Sequence, residues 1–328
     1  MQAIMVDEFG GPETLVFRDT SVPECEADCA LIKIEYAGVN YMDVYMRNGA
    51  YAKSHTYKTP LPMVIGMEGA GVVVKVGANV SNVQAGDRVA YCLSRGSYAE
   101  YAAVPAWRLV KIPAAVETAH AASAMLQGMT AHYLTHSIFQ LKKGDSCLIH
   151  AGSGGVGQLA IQMAKAIGAT VITTVGTAEK AKLAVANGAD HVILYKEVDF
   201  REEVMKITNN QGVDVVYDSV GKDTIERSIT SIRRRGLCVM FGASSGQVPC
   251  ITPLSLAEAG SVYFTRPHLA DYIPTAADIN ERATMIFDYM MSGKLRVPIH
   301  KIFELREGKE AHLMLESRGT MGKLLLKV

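Results

Sequence analysis

The fold is decided by residues 147–165, CLIHAGSGGVGQLAIQMAK, in which an apolar run, a glycine-rich turn and a second apolar run follow one another. This order is typical of a strand, a tight turn and a helix. Gly152, Gly154 and Gly157 let the chain turn and bring backbone N–H groups close to a ligand, and the helix N-terminus adds partial positive charge. Residues 170–175 form the next apolar run and close a strand–helix–strand unit of about 30 residues. The stretch therefore predicts a dinucleotide-binding fold.

The residues after the second strand indicate which dinucleotide is bound. An NAD site usually places Asp or Glu about 20 residues past the glycines, where it bonds the ribose hydroxyls. This chain has Gly176-Thr177-Ala178-Glu179-Lys180 instead. Gly176, Thr177 and Lys180 offer backbone room, a hydroxyl and a cation that suit a 2′-phosphate, so the pattern predicts NADPH. Two alternatives stay open: Glu179 could turn toward the ribose, and Lys180 could be a solvated residue in the next helix.

Length and composition predict a two-domain protein of the cytoplasm. The chain has 328 residues, of which 49% are hydrophobic and 20% charged, and Lys+Arg and Asp+Glu balance at 33 each. A neutral chain has no electrostatic drive toward nucleic acid or an anionic membrane. The first residues lack the basic and apolar segments of a signal peptide, and no apolar run is long enough to span a bilayer.

The six cysteines are scattered, which predicts reduced thiols and no structural zinc. Cys25 and Cys29 are four residues apart, but neither a second pair nor a nearby histidine completes a tetrahedral site.

Hydrophobic periodicity divides the chain. Residues 31–36, 69–76 and 88–91 read as strands of a compact β-rich domain, with a loop at 51–62 that we expect near the active site. From residue 118 the pattern turns helical, over 119–129 and 131–139, and strands then alternate with helices. One of these helices is predicted over 224–235, and the last strand, 322–328, is expected to return to the N-terminal domain. The pattern predicts an α/β fold with a doubly wound parallel sheet.

Seven stretches resemble the zinc-free quinone oxidoreductases, the ζ-crystallin-like group of the medium-chain dehydrogenase/reductase superfamily. They are residues 38–45 (GVNYMDVY), 66–71 (GMEGAG), 85–89 (AGDRV), 150–157 (HAGSGGVG), 176–180 (GTAEK), 216–221 (VYDSVG) and 264–267 (FTRP). The resemblance runs end to end. It implies a GroES-like barrel domain over 1–120, to which 270–328 return, and an NADPH-binding Rossmann domain over 121–269.

The resemblance also implies the site, at a cleft between the domains. The expected cofactor residues are Asn40, Tyr41, Met42, Asp43, Val44 and Tyr45 around the nicotinamide and its ribose; Thr130 at that ribose; Gly154, Gly155 and Val156 at the pyrophosphate; Gly176, Thr177, Ala178, Glu179, Lys180, Tyr195 and Arg318 around the adenosine 2′-phosphate; Ser219 at a strand end; and Phe241, Gly242, Ala243, Ser244, Phe264, Thr265, Arg266 and Pro267 at the carboxamide end.

No metal is expected. The zinc branch of the superfamily has histidine where this chain has Met67, and cysteine near Asn40 or Tyr41. Thioether and amide groups are poor ligands for Zn²⁺ in place of imidazole and thiolate.

Hydride transfer to a quinone depends on positioning, so hydrogen-bond donors that steady a developing oxyanion suffice. Asn40, Tyr45 and Tyr51 are the predicted catalytic residues, with packing of the loop an equal alternative for the two tyrosines. The expected substrate is a quinone. Reduction of the C=C bond of an alkenal or enone stays open, as do one- and two-electron transfer.

A binding role is the alternative of another class, because the resembled group includes lens crystallins and RNA-binding members. Arg233-Arg234-Arg235 is the basic run that invites it, but we expect this run at a solvated helix end. Helical spacing places His132 and His136 on one face, but the sequence offers no carboxylate or cysteine that would complete a ligand cluster with them and His120, so surface or satisfied core histidines are expected. The resembled group continues its sheet across a two-fold axis, which implies a homodimer.

Overall fold

The computed structural model describes residues 1–328. Its chain divides into two compact units, Met1–Met129 with Ile273–Val328, and Thr130–Tyr272, here called unit 1 and unit 2. The domain limits given above stay a prediction. None of the helices combines the length and apolar character that crossing a membrane would need.

The N-terminal segment of unit 1 is mostly β-structure. It contains β1 (Gln2–Val6), β2 (Val16–Asp19), β3 (Cys29–Val39), α1 (Tyr41–Arg47), β4 (Met63–Val64), β5 (Glu68–Val76), β6 (Arg88–Cys92), β7 (Tyr101–Pro105) and β8 (Val110–Lys111). The strand β3 shows why: Ala30, Ile32 and Ile34 are buried while Lys33 is exposed, the alternation of a half-buried strand. Short 3₁₀ turns lie at 12–14 and 106–108 in this segment.

The helix α2 (Thr118–Tyr133) contains the division between the units. Two helical runs, 119–129 and 131–139, were expected here. The α-helix covers the first run and extends to Tyr133 in the second, where a single π-helical turn, Leu134–Ile138, continues the helical stretch.

Unit 2 is a parallel sheet whose strands alternate with helices. After α2 come β9 (Ser146–His150), α3 (Gly155–Ile167), β10 (Thr170–Val175), α4 (Ala178–Ala186), β11 (His191–Leu194), α5 (Phe200–Ile207), β12 (Val213–Asp218), α6 (Ile225–Ile229), β13 (Ile232–Met240), α7 (Pro253–Glu258) and β14 (Tyr263–Thr265). The six strands lie in the order β11-β10-β9-β12-β13-β14, and all neighbouring pairs are parallel. The predicted doubly wound sheet is confirmed.

Side chains from four adjacent strands form the core of this sheet. Leu148, Ile172, Val216 and Cys238 come one from each and are fully buried. A short 3₁₀ turn at 269–272 ends the unit.

The helix predicted over 224–235 is wrong in its second half. The helix α6 ends at Ile229, and Arg233, Arg234 and Arg235 lie in β13, not at a helix end. Parallel pairing with β12 takes over this stretch, with Leu237 opposite Val215. Because Arg233 bonds Asp214 at 2.6 Å, one arginine of the run is committed within the sheet.

The C-terminal segment returns to unit 1, as expected. It contains α8 (Ala276–Met291), β15 (Ile299–Glu304), a 3₁₀ turn at 305–307, α9 (Gly308–Glu316) and β16 (Lys323–Lys327). The strand β16 pairs antiparallel with β3, with Leu325 opposite Gly38. The seven-stranded sheet therefore runs β15-β16-β3-β5-β6-β8, with β7 also on β3, beside a small sheet β2-β1-β4.

Candidate active site

The glycine-rich turn before α3 is closely packed at two of its glycines. A Cβ at Gly152 would clash with Thr173 Oγ1, and a Cβ at Gly157 would clash with the carbonyl oxygen of Ala151. At Gly154, the residue before the helix, a Cβ would meet only that oxygen, at 3.2 Å. The first N–H groups of a helix have no partner within it. The turn thus combines space with unpaired donors, which suits a pyrophosphate.

The end of β12 is joined to the loop after β13. Ser219 accepts a hydrogen bond from the Ser244 N–H at 3.1 Å through its carbonyl oxygen, and Phe241 N–H donates to the Asp218 carbonyl at 2.8 Å. A Cβ at Gly242 would lie 2.7 Å from the Ser219 carbonyl oxygen, so only glycine fits there. The structure therefore brings Ser219 together with the predicted segment 241–244.

The end of β10 carries a cluster of polar groups. Thr177 is the N-cap of α4, where its hydroxyl accepts from the Lys180 N–H at 3.3 Å. The Tyr195 hydroxyl lies 3.0 Å from where a Gly176 Cβ would be, and Lys196 Cε lies 3.4 Å from it. Burial, followed by the nearby Lys196 ammonium, lowers the pKa of Lys180. Two cations with mutual repulsion are a setting that a bound dianion relieves.

Lys196 was missed in the sequence. It directly follows Tyr195, and that adjacency was the available signal. Its position beside Gly176 depends on the parallel pairing of β10 and β11.

The remaining predicted cofactor residues of unit 2 lie apart from these turns in the chain. Phe264 and Thr265 are in β14, and Arg266 donates to the Pro267 carbonyl at 2.9 Å. Thr130 is buried in α2. Arg318 belongs to unit 1, where it is exposed just after α9 and has a left-handed φ of 59°.

A buried ion pair holds Asn40, the residue just before α1. Lys323 Nζ lies 2.5 Å from Glu68 Oε2 and 2.6 Å from Asn40 Oδ1, and both charged side chains are fully buried. Asn40 Nδ2 donates to Glu68 at 2.8 Å and to the Gly38 carbonyl at 3.2 Å. Both amide hydrogens of Asn40 are therefore already used, and a substrate oxygen would have to displace one of these acceptors. The catalytic role of Asn40 stays a prediction.

A second chain of hydrogen bonds crosses α1. Arg47 lies 3.0 Å from His312 Nδ1, His312 Nε2 lies 3.2 Å from the Tyr98 hydroxyl, and that hydroxyl donates to Asp43 Oδ2 at 3.1 Å. Burial, and then the Arg47 charge, lowers the pKa of His312 to about 3, so its ring is neutral. Because Arg47 can only donate, His312 carries its proton on Nε2.

The same chain ends on a carboxyl group with an unusual environment. Burial is the main cause that raises the pKa of Asp43 to about 7, against the hydrogen bond from the Asn40 N–H and the Lys323 charge. Its Oδ1 is buried and has no hydrogen-bond partner. Met42, Asp43 and Val44 are all buried, and their contact with a cofactor stays a prediction.

Tyrosine rings from α1 and from the segment after it lie next to one another. Tyr45 stands edge-on to Tyr51 at 5.5 Å between ring centroids, and Tyr51 lies 5.2 Å from Tyr57. Tyr41 is 6.1 Å from Tyr45, and its hydroxyl donates to the Leu315 carbonyl at 3.2 Å. Tyr45 and Tyr51 are half-buried and in contact, so the structure brings these two predicted catalytic residues together.

Met67 and Asn40 stand at or near the positions where the zinc branch of the superfamily has metal ligands, and both carry uncharged side chains. Met67 is buried, and the Asn40 side chain is engaged with Lys323. No three His, Cys, Asp or Glu side chains come together in a group that could hold a metal ion. The rings of His132 and His136 stack at 4.4 Å between centroids.

Known proteins match both parts of the chain. Residues 26–114 match the alcohol dehydrogenase GroES-like domain, and residues 155–277 match the family described as zinc-binding dehydrogenase. Over 320 residues the chain is 40% identical to quinone oxidoreductase 1 of Escherichia coli strain K12, which covers 97% of this chain and 96% of that protein. The chain belongs to the quinone oxidoreductases of the medium-chain dehydrogenase/reductase superfamily. The predicted family and the predicted GroES-like and Rossmann architecture are therefore confirmed.

Two further relatives show the range of this family. A 2-haloacrylate reductase of a Burkholderia species is 38% identical over 330 residues, 99% of this chain and 98% of that protein. The crystal structure of the Escherichia coli quinone oxidoreductase complexed with NADPH has a TM-score of 0.96 and 39% identity, with all of both chains covered.

Proposed function

We propose that this chain is an NADPH-dependent quinone oxidoreductase that passes reducing equivalents from NADPH to quinones without metal or flavin. The observation that carries the proposal is the glycine-rich turn into α3 beside the polar cluster at the end of β10. A solved relative, the Escherichia coli quinone oxidoreductase, is complexed with NADPH. The carboxyl ends of parallel strands are where such sheets bind dinucleotides.

The residues of unit 2 fit each part of this cofactor. We assign the pyrophosphate to the N-terminus of α3, at Gly154, Gly155 and Val156, because the helix dipole and the unpaired N–H groups attract an anion. Lys180 and Tyr195 are assigned to the 2′-phosphate, and Lys196 is added to them. Ser219 and the segment 241–244, which lie together, are assigned to the nicotinamide half.

When bound, NADPH supplies the hydride. The protein contributes position and hydrogen bonding. Tyr45 and Tyr51 carry hydroxyl groups that can donate to an oxygen on which negative charge develops. The buried ion pair at Asn40 and the hydrogen bond at Asp43 fix α1, and therefore fix where Tyr45 stands.

Rapid-mixing absorbance at 340 nm tests this proposal. The protein is mixed with NADPH or NADH in parallel, and offered 9,10-phenanthrenequinone, a simple benzoquinone or an alkenal. Oxidation of NADPH in preference to NADH, with quinones as acceptors, supports the proposal. Binding of NADPH without turnover of any acceptor would contradict it and favour a binding protein.

Reduction of a conjugated C=C bond is the second candidate, supported by the 2-haloacrylate reductase at 38% identity. Turnover with the alkenal alone would favour it. Both reactions use the same cofactor site, so this outcome leaves the assignments in unit 2 unchanged.

We also propose a homodimer. The strand β14 is the last strand of its sheet, and Tyr263 on it is 64% exposed. An uncovered edge strand can pair with another chain. Sedimentation analysis that shows only a 35.4 kDa species would contradict a dimer. The cytoplasmic location stays a prediction.

A further inference from the structure

Four buried side chains of unit 2 form a hydrogen-bonded chain behind the proposed cofactor site. His150 Nδ1 lies 2.8 Å from Thr174 Oγ1, and its Nε2 lies 2.9 Å from Ser228 Oγ. Ser228 Oγ in turn donates to Asp218 Oδ2 at 2.7 Å. None of the four side chains is more than 2% exposed. A complete buried network of this kind makes its surroundings rigid.

The donor in each hydrogen bond can be assigned by starting from the Asp218 carboxylate, which can only accept. The single hydrogen of Ser228 goes to the Asp218 carboxylate, so Ser228 Oγ accepts from His150 Nε2–H. His150 Nδ1 then carries no proton and accepts from the Thr174 hydroxyl. Burial lowers the pKa of His150, which agrees with a neutral ring. Ser228 is fully buried with its hydrogen committed, so this serine, histidine and aspartate are not a nucleophilic triad.

The network joins three neighbouring strands at their carboxyl ends. His150 is the last residue of β9, Thr174 lies opposite it in β10, and Asp218 is the last residue of β12 on the other side. Each lies one or two residues before a segment assigned to the cofactor: the glycine-rich turn, Gly176 and Ser219.

Thr174 and Asp218, the two ends of the network, are also hydrogen-bonded to residues of the turns. The Gly152 N–H donates to the Thr174 carbonyl at 3.2 Å, and Asp218 Oδ1 accepts from the Val220 and Gly221 N–H groups at 2.8 and 2.9 Å. Phe200 packs edge-on against the His150 ring at 4.7 Å between centroids. These contacts hold the ring in one orientation, in which it links side chains from the ends of the three strands.

We propose that His150 is a positioning residue of the cofactor site, which ties β10, β9 and β12 together and thereby sets the affinity for NADPH without contacting it. This inference rests on the proposed function. Removing one link lets the turns shift relative to one another, so part of the cofactor's hydrogen bonding is lost on binding.

The test compares two serine variants. Ser228→Ala breaks the link to Asp218. Ser231→Ala is its matched control, because Ser231 is also fully buried and its hydroxyl donates only to the Arg227 carbonyl at 2.7 Å, outside the network. The Kd of NADPH is measured by titrating nucleotide fluorescence, and kcat is measured at saturating NADPH with a quinone.

We expect Ser228→Ala to raise the Kd of NADPH about tenfold and to change kcat less than about twofold, whereas Ser231→Ala leaves the Kd unchanged. Thr174→Val, which removes the other hydroxyl while keeping the side-chain shape, should raise the Kd similarly. In the double variant Ser228→Ala/Thr174→Val the two effects should be less than additive, because one ring transmits both.

Equal Kd values for Ser228→Ala and Ser231→Ala, with the wild type binding NADPH, would overturn the inference and leave the proposed function intact. A wild-type protein that fails to bind NADPH would overturn the proposed function and this inference with it.

Discussion

The ion pair between Glu68 and Lys323 offers the sharpest test of how α1 is held. Both side chains are fully buried, and Glu68 also accepts from the Leu126 N–H at 2.7 Å and from Asn40. Lys323→Met keeps much of the side-chain volume but removes the only cation. The Glu68 carboxylate then stays buried with two neutral donors, and Asn40 Oδ1 loses its donor.

The magnitude follows from the burial of the pair. Removing one partner of a buried ion pair typically costs about 3–5 kcal/mol, because the other charge is left uncompensated. Replacing both charges leaves no buried ion, and the Gln side chain in Glu68→Gln can donate to Asn40. We therefore expect Lys323→Met to lose about 4 kcal/mol of unfolding free energy and Glu68→Gln/Lys323→Met to recover most of that loss.

Urea unfolding monitored by tryptophan fluorescence measures this loss of unfolding free energy in unit 1. The chain has one tryptophan, Trp107, and it belongs to unit 1. Lys327→Met is the matched control, since Lys327 lies on the same strand with an exposed side chain. A loss in Lys323→Met no larger than in Lys327→Met would refute the reasoning, as would a double variant no more stable than the single one.

Three further predictions concern the proposed sites. Folding raises the pKa of Asp43 from 3.8 to about 7, so the folded state holds an extra proton between these values and stability falls as pH rises through them, by about 4 kcal/mol. Asp43→Asn should abolish that part of the fall; unfolding free energies at pH 5 and pH 8 that change equally in both proteins would contradict it. Lys180→Ala should raise the KM for NADPH about tenfold and leave that for NADH unchanged, as steady-state kinetics would show; equal changes would exclude the 2′-phosphate assignment. Tyr45→Phe should lower kcat with a quinone about tenfold at unchanged KM for NADPH, and Tyr51→Phe should do the same if both hydroxyls donate; if neither changes kcat, the tyrosines only pack the loop.

Much of the fold could be predicted from patterns among neighbouring residues. The strand, glycine turn and helix at 147–165 form from neighbouring residues, so their order in the sequence is their order in the structure. Glycine at 152 and 157 is demanded by contacts within the same unit of strand and helix. Alternation in β3 and between the strands and helices of unit 2 reports burial directly.

Prediction from the sequence failed where a stretch is compatible with both a helix and a strand. Arg233, Arg234 and Arg235 are compatible with a helix by propensity, and pairing of β13 with β12 placed them in a strand. The pairing of Lys323 with Glu68 had no signal in the sequence, because nothing in either neighbourhood indicates a partner 255 residues away. The approach of His150 to Ser228, 78 residues away, and of Lys196 to Gly176 likewise depends on strand order.

The sequence by itself thus determined the fold class, the family, the dinucleotide turn and the residues that can carry the chemistry, because each is encoded in contiguous residues. Only the tertiary structure decided which buried polar groups meet, which of Asn40's hydrogens are already used and where the charge of Lys323 is neutralised. Those outcomes depend on burial, where an unpaired polar group is costly, and burial is a property of elements distant in the chain that pack together.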